Sequence, residues 1–196
     1  MRTDGIEIER KYLVAGAPVP AELTALGARP VRIEQLYLRG TDAAPVRRLR
    51  RSEANGTVVH TYTEKRLLAG IVREERERVI DAAAFERLRQ DADPDLRPIR
   101  KVRHVFEFGG HTLELDVFDD PPGLVVLEIE LDRADEPDPE TPAVLRVVRD
   151  VSEDPAYFNV NLARVRAGGG SHLVAAARPR TGQPDSRAPR GGRMST

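Results

Sequence analysis

Ile6-Glu7-Ile8-Glu9-Arg10-Lys11 alternates with a period of two: Ile6 and Ile8 project to one side of an extended chain, Glu7, Glu9 and Lys11 to the other. In an ordinary half-buried strand the polar side carries mixed, solvated residues. Here it carries paired charges, and the pattern recurs. Arg48 and Arg50 flank Leu49, and Thr63 and Lys65 share a face. Arg73, Glu75 and Glu77 follow, although Glu74 and Arg76 charge the opposite face as well. Lys101 and Arg103 flank Val102, Glu114 and Asp116 flank Leu115, and Glu128 and Glu130 flank Ile129. Any one such strand reads as a solvated edge. Seven of them do not, because like charges two residues apart repel unless opposite charges or metal ions stand nearby. A sheet closed into a barrel resolves the conflict, with its apolar side under covering helices and its charged side around a water-filled lumen. The expected fold is therefore α+β dominated by β, a barrel with a few covering helices.

The lumen would hold about eight acids and about seven bases, a mixture with a specific use: carboxylates bind hard divalent cations, while Arg and Lys grip phosphoryl oxygens. Together they suit a metal-bound polyphosphate. The rest of the composition agrees with a single globular domain. The chain has 196 residues, with 31 Lys and Arg against 32 Asp and Glu for a formal charge of −1, so bulk charge favours neither nucleic acid nor an anionic membrane as partner. It has no Cys, which removes disulfides, thiolate metal sites and Cys nucleophiles and suits a reducing cytoplasm. The start lacks the apolar core of a signal peptide, and no stretch approaches the ~20 apolar residues needed to cross a bilayer. The expectation is a cytoplasmic protein.

Three helices are expected: Pro18 to Leu26, stopped by Gly27; Ala82 to Asp91, capped by Asp81; and a third started by Thr141-Pro142, through Ala143, Val144, Val147 and Val148. From about Arg166 the composition changes to Gly, Pro, Ser, Thr and Arg. Residues 1–166 are read as the barrel domain and residues 167–196 as a disordered basic tail.

The motifs, in order, resemble the CYTH family, the triphosphate tunnel metalloenzymes. Glu7-Ile8-Glu9-Arg10-Lys11 matches its Glu-x-Glu-x-Lys signature. Glu34-Gln35-Leu36-Tyr37-Leu38, Arg48-Leu49-Arg50, Thr63-Glu64-Lys65, Arg73 to Glu77, Lys101-Val102-Arg103, Glu114 to Phe118, Leu127 to Glu130 and the closing Asp154 to Ala163 follow in family order. The resemblance implies an eight-stranded antiparallel β-barrel whose tunnel binds a triphosphate and Mg2+ or Mn2+. It implies hydrolysis of inorganic triphosphate to diphosphate and phosphate, with adenylate cyclase, thiamine triphosphatase or a noncatalytic polyphosphate-binding module as alternatives. On that reading Glu7, Glu9, Glu128 and Glu130 form the main metal cluster, with Glu75, Glu77, Glu114 and Asp116 as further ligands. Lys11, Arg48, Arg50, Lys65, Arg73, Lys101 and Arg103 hold the substrate. Lys11 and Tyr37 are the expected catalytic residues, Tyr37 orienting water or accepting a proton. No Ser or Cys stands in a triad-like setting, which favours direct attack by water. The expected partner is the small-molecule triphosphate, with no nucleic acid and no membrane, and a homodimer stays open.

Overall fold

A computed structural model of the chain describes residues 5–164 and 170–176. Nine strands dominate it: β1 (Gly5–Val14), β2 (Arg29–Leu38), β3 (Val46–Ala54), β4 (Thr57–Ala69), β5 (Val72–Ile80), β6 (Ile99–Phe108), β7 (His111–Phe118), β8 (Val125–Glu130) and β9 (Val147–Asp150). The first eight close into an antiparallel barrel in the order β1-β5-β4-β3-β2-β6-β7-β8, with β8 returning to β1; β9 is an extra strand on β1. The tight hairpins carry the residues such turns demand. Asn55-Gly56 joins β3 to β4 and Gly109-Gly110 joins β6 to β7, all four at positive φ, the backbone that a two-residue hairpin with correctly twisted strands requires.

The alternation read from sequence sorts the wall into two faces. Outward-facing Phe106, Leu113, Leu115, Leu127 and Ile129 pack with Leu145 and with Leu23 and Leu26 around helix α1 (Pro20–Ala25). Outward-facing Leu36, Leu38, Leu49 and Tyr62 are covered by Phe85 of helix α2 (Ala82–Arg89). Asp81 caps α2 as expected, its carboxylate accepting the Ala84 N–H at 2.6 Å.

Two of the three expected helices thus cover the barrel, and the third does not form. Pro142 to Leu145 make a turn, and Val147 and Val148 belong to β9, which pairs with Tyr12 to Val14. The spacing of Val144, Val147 and Val148 is helical, but the edge of β1 offers main-chain hydrogen bonds that so short a helix cannot match.

One end of the lumen is closed by apolar residues on the same inward register as the charges: Leu13 beyond Lys11, Val126 before Glu128, Phe118 beyond Asp116 and Ile99 before Lys101. Tyr157, in a 3-10 turn (Pro155–Tyr157), Leu162 of helix α3 (Asn159–Leu162) and Leu173 of helix α4 (Ser171–Ala175) pack onto this plug. Residues 170–176 are the part of the expected tail that is described, and Leu173 in them is buried. The rest of that tail lies outside the described residues. Among the described residues no helix is long and apolar enough to cross a membrane.

A charged tunnel as the candidate active site

Strand register, more than chain proximity, assembles the tunnel wall. On β1 and β8, Glu9 faces Glu130 and Lys11 faces Glu128. On β5, Arg73 faces Glu7, while β4 sets Thr63 against Glu77 and Lys65 against Glu75. Arg48 of β3 stands beside Thr63, and Arg103 of β6 beside Asp116 of β7. A cavity of about 500 Å³ results. It is lined by every residue expected from sequence except Lys101 and Asp116, together with Val46, Leu67, Phe158, Asn159 and Val160. Lys101 and Asp116 are paired with each other behind that lining, both fully buried.

Within the tunnel, acids and bases are matched. Lys11 bonds Glu128 and stands 3.0 Å from Glu9. Burial works against its ammonium, but Glu128 and Glu9 outweigh it and hold its pKa above the ordinary lysine range. Arg103 is gripped from three sides: Asp116 at 2.8 and 2.7 Å, Glu128 at 2.6 Å, and Glu114. Lys65 bonds Glu7 at 2.6 Å and also meets Glu75. Arg48 reaches Glu77 at 3.4 Å and Glu75 at 3.9 Å, and the Thr63 hydroxyl donates to Glu77 at 2.8 Å. Arg73 stands 3.5 Å from Glu9, with its guanidinium 5.3 Å from the Phe158 ring centre. Burial alone would raise the pKa of Glu75, Glu77 and Glu128. Their cationic neighbours instead hold all three below the usual carboxylate range, most strongly Glu128 between Lys11 and Arg103.

Arg50 stands apart. Among the described residues it makes no hydrogen bond or ion pair. Burial, and then Arg48 and Arg103, pull its pKa down from the arginine value. A partly buried guanidinium that lines the tunnel without an ion pair has donors suited to an anion. Tyr37, at the plug end, accepts a hydrogen bond from Gln35 at 2.6 Å, and burial pushes its phenol up to about 12. It is therefore protonated at neutral pH and free to donate.

All four carboxylates expected to form one metal cluster line the cavity. Glu128 is held between Lys11 and Arg103, whereas Glu9 and Glu130 oppose each other across β1 and β8, with Glu7 next on the same face of β1. No group of three acids among the described residues converges closely enough to hold a metal ion. The donor chemistry nonetheless fits a hard divalent cation: Glu9 and Glu130 set carboxylate oxygens directly opposite on neighbouring strands, the ligand type such an ion takes.

Sequence reading passed over Gln35 as a site residue, although it shares the parity of Tyr37. Val46 and Leu67 likewise extend the parity of Arg48 and Lys65. Phe158, Asn159 and Val160 come from the closing segment, whose approach to the tunnel has no periodic signal.

The residues thus build a closed antiparallel barrel with a mixed-charge lumen and, inside it, a guanidinium that makes no ion pair among the described residues. The CYTH domain model matches residues 5–164, the whole barrel and its closing segment, and the chain belongs to the CYTH family. Two solved structures of the protein NE1496 resemble it, one described as a hypothetical protein and one as an inorganic triphosphatase. Their identities are 31% and 29% and their TM-scores 0.51 and 0.53, covering 81% and 82% of this chain and 97% and 99% of theirs. A conserved hypothetical protein from Pyrococcus furiosus, 19% identical with a TM-score of 0.50, shares the fold over 66% of this chain and 80% of its own. No curated protein matches the chain.

Proposed function

We propose that this CYTH protein is a divalent-metal-dependent hydrolase that cleaves inorganic triphosphate to diphosphate and phosphate inside the tunnel, acting in the cytoplasm. The observation that carries the reading is Arg50, a lumen cation that makes no hydrogen bond or ion pair among the described residues, with Glu77 and Glu114 acting on it only from a distance, in a wall whose other cations already hold carboxylates. Likeness to the inorganic triphosphatase NE1496 across the barrel supports the choice of substrate.

Arg50 and Arg48, adjacent on one face of β3, grip the phosphate chain. Lys11, Lys65, Arg73 and Arg103 surround it and offset the charge that builds on the leaving diphosphate. Lys101 and Asp116 act from behind, Asp116 fixing the Arg103 guanidinium. Glu7, Glu9, Glu128 and Glu130 would hold the metal, Mg2+ or Mn2+, with Glu75, Glu77 and Glu114 close by on the wall. When bound, the ion supplies charge neutralisation for the phosphoryl oxygens. Water attacks the terminal phosphorus in line; the bond to the bridging oxygen breaks, its electron pair leaves with the diphosphate, and one water proton is released. Tyr37 donates to a phosphoryl oxygen. It is not the base, because a phenol near pKa 12 holds its proton at neutral pH. The Thr63 hydroxyl is committed to Glu77, and the chain has no Cys, which supports direct water attack over a covalent intermediate.

Phosphate release should be measured from triphosphate, ATP, thiamine triphosphate and diphosphate, each with Mg2+ and with Mn2+. The expected result is fastest release from inorganic triphosphate, abolished by chelation. Undiminished release after chelation, or conversion of ATP to a cyclic nucleotide in preference, overturns the proposal.

A further inference from the structure

The edge of β1 facing away from β8 changes partner midway: β5 pairs with it through Ile8, and β9 from Tyr12 onward. Glu9, Arg10 and Lys11 lie between the two ladders, and Glu9 and Lys11 are the residues there that line the tunnel. A strand is held least where its ladder is interrupted, so this stretch needs another anchor.

Ser152 provides it. The Lys11 N–H donates to the Ser152 hydroxyl oxygen at 2.8 Å, where a continuing ladder would offer a main-chain carbonyl, and the Lys11 carbonyl accepts from the Val151 N–H at 2.8 Å. The Ser152 hydroxyl in turn donates to Asp150 at 2.5 Å, and the same carboxylate oxygen accepts the Ser152 N–H at 2.7 Å. Arg10 reaches the other oxygen of Asp150 at 3.3 Å. Ser152 is 4% exposed and does not line the cavity. Its hydroxyl is spent entirely on the main chain of one tunnel residue and on the carboxylate behind it.

We infer that Ser152 is a positioning residue: it fixes the β1 main chain at Lys11, and so sets where the Lys11 ammonium and the Glu9 carboxylate stand relative to Glu128 and Glu130. The catalytic consequence rests on the hydrolase reading, because displaced groups slow a reaction only if they serve one.

The test compares full-length Ser152→Ala and Ser152→Thr with the parent chain. It measures kcat and KM on triphosphate with Mg2+, and amide hydrogen exchange across Glu9 to Leu13. In Ser152→Ala, kcat should fall by about tenfold or more with KM within about threefold, since misplacement of a group by a fraction of an ångström costs rate while the other cations still bind substrate. Ser152→Thr, which keeps the hydroxyl, should restore kcat to within about twofold of the parent, and exchange at Lys11 should quicken in the alanine variant alone. Parental kcat in Ser152→Ala, or a loss that threonine does not restore, overturns the inference. If Ser152→Ala does not fold, Asp150→Asn replaces it under the same criteria, weakening the acceptor behind the hydroxyl with little change of volume. If the parent chain cleaves no triphosphate with either metal, the hydrolase reading fails separately. Exchange then decides: quickening confined to Lys11 in the alanine variant upholds the positioning role, and unchanged exchange overturns it.

Discussion

Replacing Arg50 by Met separates what the tunnel needs for folding from what it needs for substrate. In the ligand-free protein the Arg50 guanidinium is partly buried, makes no ion pair among the described residues, and is repelled by Arg48 and Arg103 more than Glu77 and Glu114 attract it. An apolar side chain of similar length should therefore leave the unfolding midpoint unchanged or raise it. With triphosphate present the sign reverses. A charge-assisted contact is worth about 1.5 to 3 kcal/mol, so its loss weakens Kd roughly 10- to 150-fold. At a ligand concentration a hundred times the parental Kd, linked stabilisation is about 2.7 kcal/mol, and the variant keeps about 0.3 to 1.4. For a chain of this size, thermal denaturation should show a rise of roughly 5 to 11 °C for the parent, and less than about half of that for Arg50→Met. Arg103→Met is the control. Its guanidinium answers Asp116, Glu128 and Glu114, so removing it strands buried carboxylates at about 3 to 5 kcal/mol even without ligand. An Arg50→Met protein that keeps the full ligand-induced rise, or that loses as much ligand-free stability as Arg103→Met, refutes the assignment of Arg50 as the open anion site.

Glu9→Gln should abolish metal-dependent phosphate release, since it removes the charge opposite Glu130 at nearly constant volume; an active, folded variant takes Glu9 out of the metal role. Tyr37→Phe should lower the rate without altering the shape of the pH-rate profile between about pH 6 and 9, because the phenol does not titrate there. A profile that loses one limb would make Tyr37 a titrating catalyst after all. Burial, only partly offset by Asp116, lowers the Lys101 pKa from 10.5 to about 8 in the folded chain. The unfolded chain then binds more protons between those values, so stability should rise as pH climbs from about 8 to 10. Urea midpoints should show this rise in the parent and not in Lys101→Met; an equal rise in both would assign it elsewhere.

The barrel was legible because its chemistry repeats at the pleat period. Glu7 and Glu9, Arg48 and Arg50, and Glu128 and Glu130 mark one face so consistently that closure was the simplest way to neutralise them. Depth along the tunnel was not legible: Lys101 and Arg103 carry the same parity, yet only Arg103 reaches the cavity, because Lys101 sits one step nearer the apolar plug. Pairing was not legible either. The spacing of Glu128 from Glu130 says nothing of its partners, and register sets it across from Lys11. The segment around Val147 misled because a helical spacing of valines is equally a short strand when an edge such as that of Tyr12 to Val14 is vacant. Ser152 carried no signal at all, since a lone serine ahead of a Pro-containing turn is ordinary until its hydrogen bonds are seen.

The matched charges of the tunnel have a bearing on how its ligands would arrive. A carboxylate already salted to a lysine resists a lone metal ion, and a guanidinium already salted to a glutamate resists a lone polyphosphate, as in an ion-exchange resin that has neutralised itself. A metal and a triphosphate entering together exchange partners with the wall and leave no stranded charge, so each should bind more tightly in the presence of the other, by the same factor in both directions.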